Sequence, residues 1–449
     1  MKNNGFATGV MYIILVLLAV GLGVLTFFNY QANKQQQQTI EAVKEAASAT
    51  PTPPPTETPA PTEEPKRNTE TITMAFAGDL VGQAGLTTDV EETGEEGEAP
   101  TYDFTEQISG VVPSLGEADV AVCTLVTTLG NDGTYDSYHM PASLATALRG
   151  AGFNLVNAAS DHILDRGLEG LATTANVLKE AGLNPTGIYG ESASRSLPIA
   201  NIGDVKVAFL SYTYGTAGTG AEPVSVADYS WCMDILTTDY MTNKETVDYG
   251  KITSDIAAVK EAGADIVACF VYWWDNTQYY TEPRSNQTEV VDYLLENGVD
   301  IIIGGGVKVP QPIETRVVER ADGSRSNCVV CYSLSSLMSC FNDVYTNLSA
   351  VVSIEISRDA DTGEIWISGV SDRPLFMLDT GDYEDYSDPS FRYRLLDATE
   401  AVANYEQGST DVVSAQAYEA IKTGIDDLKT LMGAEYAEEN GGVTLEFPY

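Results

Sequence analysis

Positive charge is the scarcest commodity in this sequence: 24 Lys and Arg stand against 65 Asp and Glu, for a formal net charge of −41 over 449 residues. Such a surface repels nucleic acid, anionic lipid and polyanionic polymers, so nucleic acid is excluded as a partner. Histidine is rarer still, with two in the chain, which leaves little imidazole for metal or acid–base chemistry. Cysteine is sparse as well. The six thiols, at 123, 232, 269, 328, 331 and 340, fall mostly within apolar runs. Cys328-Val-Val-Cys331 has the spacing of a redox or half-zinc motif, but its β-branched centre reads as strand, where residues three apart face opposite ways. Buried free thiols are expected. The acidic run at residues 89–98, with two glycines, reads as a solvated loop, a calcium site being the alternative, although it lacks EF-hand alternation. No internal repeat is present.

What the chain does have falls into four segments. Residues 10–28 (VMYIILVLLAVGLGVLTFF) carry no charge, nor does anything from Asn3 to Ala32, which is long enough to span a bilayer. The bulky Phe27-Phe28-Asn29-Tyr30 that follows does not suit a signal-peptidase site, so an uncleaved anchor is expected over residues 1–32. Flanking charges orient it weakly, with Lys2 before and Lys34 and Lys44 after. Residues 33–67 form a polar, Pro/Thr-rich stalk whose core, ATPTPPPTETPAPTEEPK, favours extended polyproline II. Together these place the protein in the cell membrane as a single-pass chain with its body outside the cytoplasm.

From residue 68 the pattern changes. Short apolar runs near 72, 119, 154, 205, 265 and 299 read as strands covered on both faces. Helical patterns lie between them at 141–151, 167–181, 254–262 and 289–297, several followed by glycine. The alternation predicts an α/β domain over 68–375. Strand patterns at 351–356 and 364–368, around Asp359-Ala-Asp-Thr-Gly363, read as a hairpin or meander. Two helical stretches, 388–405 and 415–431, would make residues 376–449 a helical extension packed on the domain.

Polar residues gather at strand ends, where α/β proteins place their sites. Ala77-Gly78-Asp79 ends the first strand, and Ala159-Ser160-Asp161-His162 with Asp165-Arg166-Gly167 follows the third. Asp79, Asp161 and His162 could bind a divalent metal or move protons; equally, they could be turn and cap residues.

AGD after the first strand, PASLATALRGAGFNLVNAASDHILDRGLEGLATTANVLKEAGLNPTGIYG and SRSLPIANIGDVKVAFLSYTYG resemble the bacterial capsule-synthesis CapA family, over residues 71–368. The resemblance implies a calcineurin-type metallophosphoesterase fold, a layered α/β/β/α sandwich, commonly membrane-anchored and associated with poly-γ-glutamate synthesis or export. The family's leading G-D falls on Gly78-Asp79, which makes Asp79 a metal candidate. Its N-L-E has become Thr124-Leu125-Val126. Its N-N-H, with D and G beyond, appears as Ser160-Asp161-His162, Asp165 and Gly167, leaving Asp161 as a second metal candidate and His162 as the catalytic candidate. H-W-G reads Tyr272-Trp273-Trp274, and G-H-H-P-H-V reads Gly304-Gly305-Gly306-Val307-Lys308-Val309, with Gln311-Pro312-Ile313-Glu314 retained beyond it. S-L-G-N-F reads Ser333-Leu334-Ser335-Ser336-Leu337.

The set implied for a two-metal clamp is depleted. One Mg²⁺ or Mn²⁺ on Asp79, Asp161 and His162 is what remains of it, and the Lys308 ammonium would repel even that. Thr124, Asp165, Tyr272, Trp273 and Lys308 are ligand-pocket candidates, with core packing or an ordinary surface lysine as the plainer alternatives. The expectation is an envelope protein of capsule synthesis that acts by binding polymer or partner proteins. The alternative is a single-metal hydrolase or ligase on envelope polymers or phosphoesters. A body this acidic repels poly-γ-glutamate itself unless a basic patch or bound cations intervene.

Overall fold

The structure, a computed structural model, describes residues 68–92, 98–116, 118–189, 197–216, 229–320, 323–387, 389–433 and 443–444. The expected anchor and stalk lie outside them. Among the described residues no helix is long and apolar enough to cross a membrane.

The fold is α/β, built on two sheets. In chain order the strands that matter are β1 (Thr69–Val81), β2 (Val120–Val126), β3 (Leu155–Asn157), β4 (Asn184–Thr186), β5 (Ile199–Ile202), β6 (Val205–Thr213), β7 (Ile266–Tyr272), β8 (Ile301–Gly305), β9 (Ile313–Glu319), β10 (Arg325–Cys331), β11 (Ser336–Met338), β12 (Leu348–Asp359), β13 (Ile365–Asp379) and β14 (Tyr393–Asp397). The helices are α1 (Ser143–Ala151), α2 (Gly167–Glu180), α3 (Tyr249–Glu261), α4 (Ser285–Asn297), α5 (Ala398–Glu406) and α6 (Ala415–Met432). One sheet runs β14-β13-β12-β1-β2-β3-β4, with β11 also on β1; the other runs β9-β10-β8-β7-β6-β5. β1 to β4 are mutually parallel, as are β6, β7, β8 and β10.

The unbroken apolar runs have their explanation in the packing. Met74, Phe76, Val207, Phe270, Ile303 and Val352 share one core cluster, to which both sheets contribute, and the Phe76 and Phe270 rings lie 6.1 Å apart. The other face of the first sheet (Ala75, Ala77, Cys123, Leu125) packs with Leu144 and Leu148 of α1. The other face of the second (Leu210, Val267, Cys269) packs with Ile252 and Ile256 of α3 and Val290 and Leu294 of α4. Each central strand therefore has no wet face. Cys328 and Cys331 belong to different clusters, on opposite faces of β10, and no disulfide joins any of the six cysteines.

β12 and β13 pair antiparallel as the hairpin pattern predicts, and the Asp359 carboxylate accepts from the amides of Asp361 and Thr362 to close the turn. The region after it differs from the helical expectation at 388–405. Residues 393–397 are a strand, β14, paired antiparallel with β13. Tyr393 and Leu395 are buried on the α1 side, while Leu396 faces the core between the sheets, and the Asp397 carboxylate caps α5 by accepting from the Glu400 amide. β13 runs on through position 375 to Asp379, and Ala417, Ile421 and Leu428 of α6 join the cluster that holds Phe76.

Candidate functional site

The strand order brings the C-terminal tips of β1, β2, β3, β6, β7 and β8 together, and the sequence candidates stand on those tips. Asp79 is reached through a glycine for a steric reason: a Cβ on Gly78 would sit 2.2 Å from the Ser335 carbonyl oxygen, which accepts from the Asp79 amide at 2.9 Å. The Asp79 carboxylate accepts from the Gly306 amide at 2.6 Å. A Cβ on Gly305 would lie 2.5 Å from its Oδ1, so the carboxylate folds onto backbone that carries no side chains. Burial lifts its pKa to about 7, with the Gly306 N–H pulling down and Asp161 pushing up.

Asp161 is 2% exposed. Its Oδ2 accepts from the Tyr214 hydroxyl at 3.1 Å, and its Oδ1 accepts no hydrogen bond, with His162 Nε2 3.8 Å away. Burial raises its pKa; the His162 charge opposes, Asp275 adds to the rise, and the Tyr214 and Tyr272 hydroxyls pull down. Tyr214 also donates to Asp275 Oδ1 at 2.8 Å. One phenolic proton thus serves two carboxylates and can satisfy one at a time.

His162 is fixed on two sides. Its Nδ1 is 2.8 Å from Asp165 Oδ2, and its ring stacks on Tyr138 with centroids 3.4 Å apart and planes 6° off parallel. Tyr138 has φ +69° and is pinned by its own backbone, the amide donating to Gly82 and the carbonyl accepting from the Thr128 amide. Burial would lower the His162 pKa, but the Asp165 hydrogen bond and the charges of Asp161 and Asp165 outweigh it and Lys308, for a net rise.

Lys308 is half-buried, with φ +71°. Its Nζ donates to Gln278 Oε1 at 3.0 Å and lies 4.7 Å from the Phe341 ring centroid and 5.3 Å from that of Tyr279. Burial lowers its pKa against the pull of Asp161, Asp275 and Asp343.

Thr124 pairs in register with Asp79 across β1 and β2 and accepts from Asn157 Nδ2 at 3.2 Å. Tyr272 is buried beside Asp161, its phenol pushed well above the ordinary tyrosine value by burial first and by Asp161 next. Trp273 is fully buried; its indole N–H donates to the Tyr332 carbonyl at 2.7 Å, so it braces β8 from within the core and offers no face to a ligand. The sequence reading did not single out Tyr138, Tyr214, Asp275 or Gln278. Tyr214 was within reach of it, one residue past the tip of an evident strand.

Among the described residues no group of three or more His, Cys, Asp or Glu is arranged to hold a metal ion. Asp79 is spent on backbone, Asp161 on a phenol and His162 Nδ1 on Asp165, and an ammonium stands close by. These donors do not match a two-metal clamp, and no step through a metal follows from them. The arrangement can bind by hydrogen bonds and charge and can store protons on two buried carboxyls. In the acidic run, Asp89 accepts from the amides of Arg392 and Tyr393, which is structural work.

A family model described as bacterial capsule synthesis protein PGA_cap matches residues 73–339. Among curated proteins, the capsule biosynthesis protein CapA of Bacillus anthracis is 28% identical over 171 residues, 37% of this chain and 38% of that protein. The PGA biosynthesis protein CapA of Bacillus subtilis is 23% identical, over 50% of this chain and 52% of that one. A protein of Mycobacterium tuberculosis named as a probable polyglutamine synthesis accessory protein is 23% identical, over 55% of this chain and 71% of that one. The chain thus spans between about a third and a half of the Bacillus relatives. Of solved structures, a phosphatase from Mycoplasma pneumoniae is 13% identical, covering 66% of this chain and 91% of that one with a TM-score of 0.37. The sulfate thiohydrolase SoxB of Thermus thermophilus is 11% identical, covering 80% and 60% with a TM-score of 0.36. At those scores neither structure carries an argument here.

Proposed function

Because the chain belongs to the bacterial capsule synthesis family, we propose that it is a membrane-anchored, extracytoplasmic accessory protein of capsule or poly-γ-glutamate-type polymer synthesis, export or anchoring, and that it acts by binding. The apolar stretch at 10–28 is its single-pass anchor in the cell membrane, and the proline-rich stalk holds the body outside. The two-sheet body is of the α/β/β/α metallophosphoesterase type. Its partners are envelope polymer or other capsule-synthesis proteins.

The observation that carries the binding mode is Lys308. An ammonium held beside Gln278, within the field of Asp161, Asp275 and Asp343, is chemistry for neutralising carboxylates, and it works against a divalent cation. A second reading has one specific support: Asp161 Oδ1 lacks a hydrogen bond and lies 3.8 Å from His162 Nε2, a donor pair that a single-metal hydrolase or ligase could use with Asp79.

Genetics in the bacterium that carries the chain separates the two. Deleting the gene should lower cell-attached polymer, and full-length Asp79→Asn, which keeps an oxygen for the Gly306 amide, should restore it as well as the wild type. A deletion that leaves polymer unchanged contradicts the capsule role. Failure of Asp79→Asn alone to restore it favours the hydrolase.

A further inference from the structure

The segment that joins β7 to α4 serves two places. Asp275 and Gln278 belong to the strand-tip network, whereas Trp274, Asn276 and Arg284 line a separate open cavity of about 400 Å³. Small-molecule sites occupy about 300–1,000 Å³. The wall of this one is held in shape: Thr277 Oγ1 donates to the Trp274 carbonyl at 2.6 Å. Tyr279, at φ +63°, donates its amide to the Val307 carbonyl at 2.9 Å, and Gln311 Nε2 donates to the Tyr280 carbonyl at 2.8 Å.

The lining selects among ligand chemistries. Glu245 and Glu289 stand against an anion. Arg284 stands against a cation: its guanidinium lies 4.5 Å from the Tyr280 ring centroid and makes no ion pair among the described residues. An apolar ligand would strand two amides. Asn286 Nδ2 donates to Asn276 Oδ1 at 3.3 Å, and these two side chains make no other hydrogen bond among the described residues. Asn276 Nδ2 is thus left as a donor beside Asn286 Oδ1 as an acceptor, and adjacent hydroxyls of a sugar ring supply the matching acceptor and donor. Tyr249, half-buried in the lining, supplies aromatic surface for the C–H face of such a ring. Its own ring is braced by Tyr293, with centroids 4.3 Å apart, while the indole N–H of Trp274 is fixed on the Lys244 carbonyl.

We propose that this cavity is a binding site for a neutral saccharide of one or two pyranose rings, distinct from the strand-tip site. The inference goes beyond the function above and does not depend on what the strand tips bind.

The test uses the full chain in an amine-oxide detergent, which carries no sugar headgroup. Cellobiose, maltose and N,N′-diacetylchitobiose are titrated in turn and followed by saturation-transfer difference NMR and calorimetry. At least one should bind, with saturation on its ring protons. The double variant Asn276→Ala, Asn286→Ala should weaken that binding about tenfold or more. Tyr249→Leu should weaken it as well, whereas Tyr249→Phe, which keeps the ring, should bind as the wild type does. Melting curves show which variants are folded. Absence of binding to all three sugars overturns the proposal, and so does binding that the folded Asn276/Asn286 and Tyr249→Leu variants leave unchanged. Glutamate or glycine binding in place of the sugars, and lost in Arg284→Gln, also overturns it and gives the cavity to a zwitterionic amino acid.

Discussion

Asp79 is a buried acid that holds its proton in the folded protein well above the ordinary carboxylate range. Its pKa is about 7 against an ordinary 3.8, so between those values the native state binds a proton that the unfolded chain releases. Stability must then fall as pH rises through that window, by about 1.4 kcal/mol per unit of pKa difference. By pH 8 the burden is on the order of 4 kcal/mol. Asp79→Asn carries no such burden: urea denaturation should show it close to wild type near pH 4 and clearly more stable at pH 8. His162 responds in the opposite sense. Its raised pKa leans on the Asp165 hydrogen bond, so Asp165→Asn should lower the titration midpoint of the His162 ring protons by NMR; an unchanged midpoint would mean that Asp161 alone holds it up.

At this scale the sequence revealed the residues that sit on strand tips, Asp79, Asp161, His162 and Lys308 among them. It concealed Tyr138, because the loop that lays this ring on His162 depends on hydrogen bonds to Gly82 and Thr128, contacts that no local pattern announces. Trp273 was left open between pocket and core for the same kind of reason: its hydrogen-bond partner at Tyr332 is 59 positions away.

Strands and helices were easier to read wherever both faces are covered. The runs near 72, 205, 265 and 299 are strands because helices lie outside each sheet and the two sheets share a core. The stretch at 388–405 was harder, since Tyr393-Arg-Leu-Leu-Asp397 suits a helix start as well as an edge strand, and pairing to β13 decides it. The tightness of the elements makes two glycines opposite in effect. Gly304 lies on β8, where a Cβ would meet the Tyr332 carbonyl oxygen at 2.1 Å and Trp273 Nε1 at 2.2 Å. Gly304→Ala should therefore cost about 3 kcal/mol or more. Gly150 is exposed in α1 with nothing near its Cβ position, and Gly150→Ala should gain about 0.5–1 kcal/mol through helix propensity. Equilibrium denaturation of the two variants beside the wild type checks both signs.

For the whole molecule, a net charge of −41 and an ammonium at the strand-tip site fit the function proposed above, in which a protein of the capsule synthesis family binds there without metal. The measurement that meets this claim most directly is elemental analysis of the full chain, purified without chelator, for Mn, Fe, Zn and Mg, beside an Asp79→Ala, His162→Ala double variant. The account predicts metal far below one equivalent in both. One or two equivalents in the wild type, lost in the double variant, would contradict it and return the site to hydrolysis.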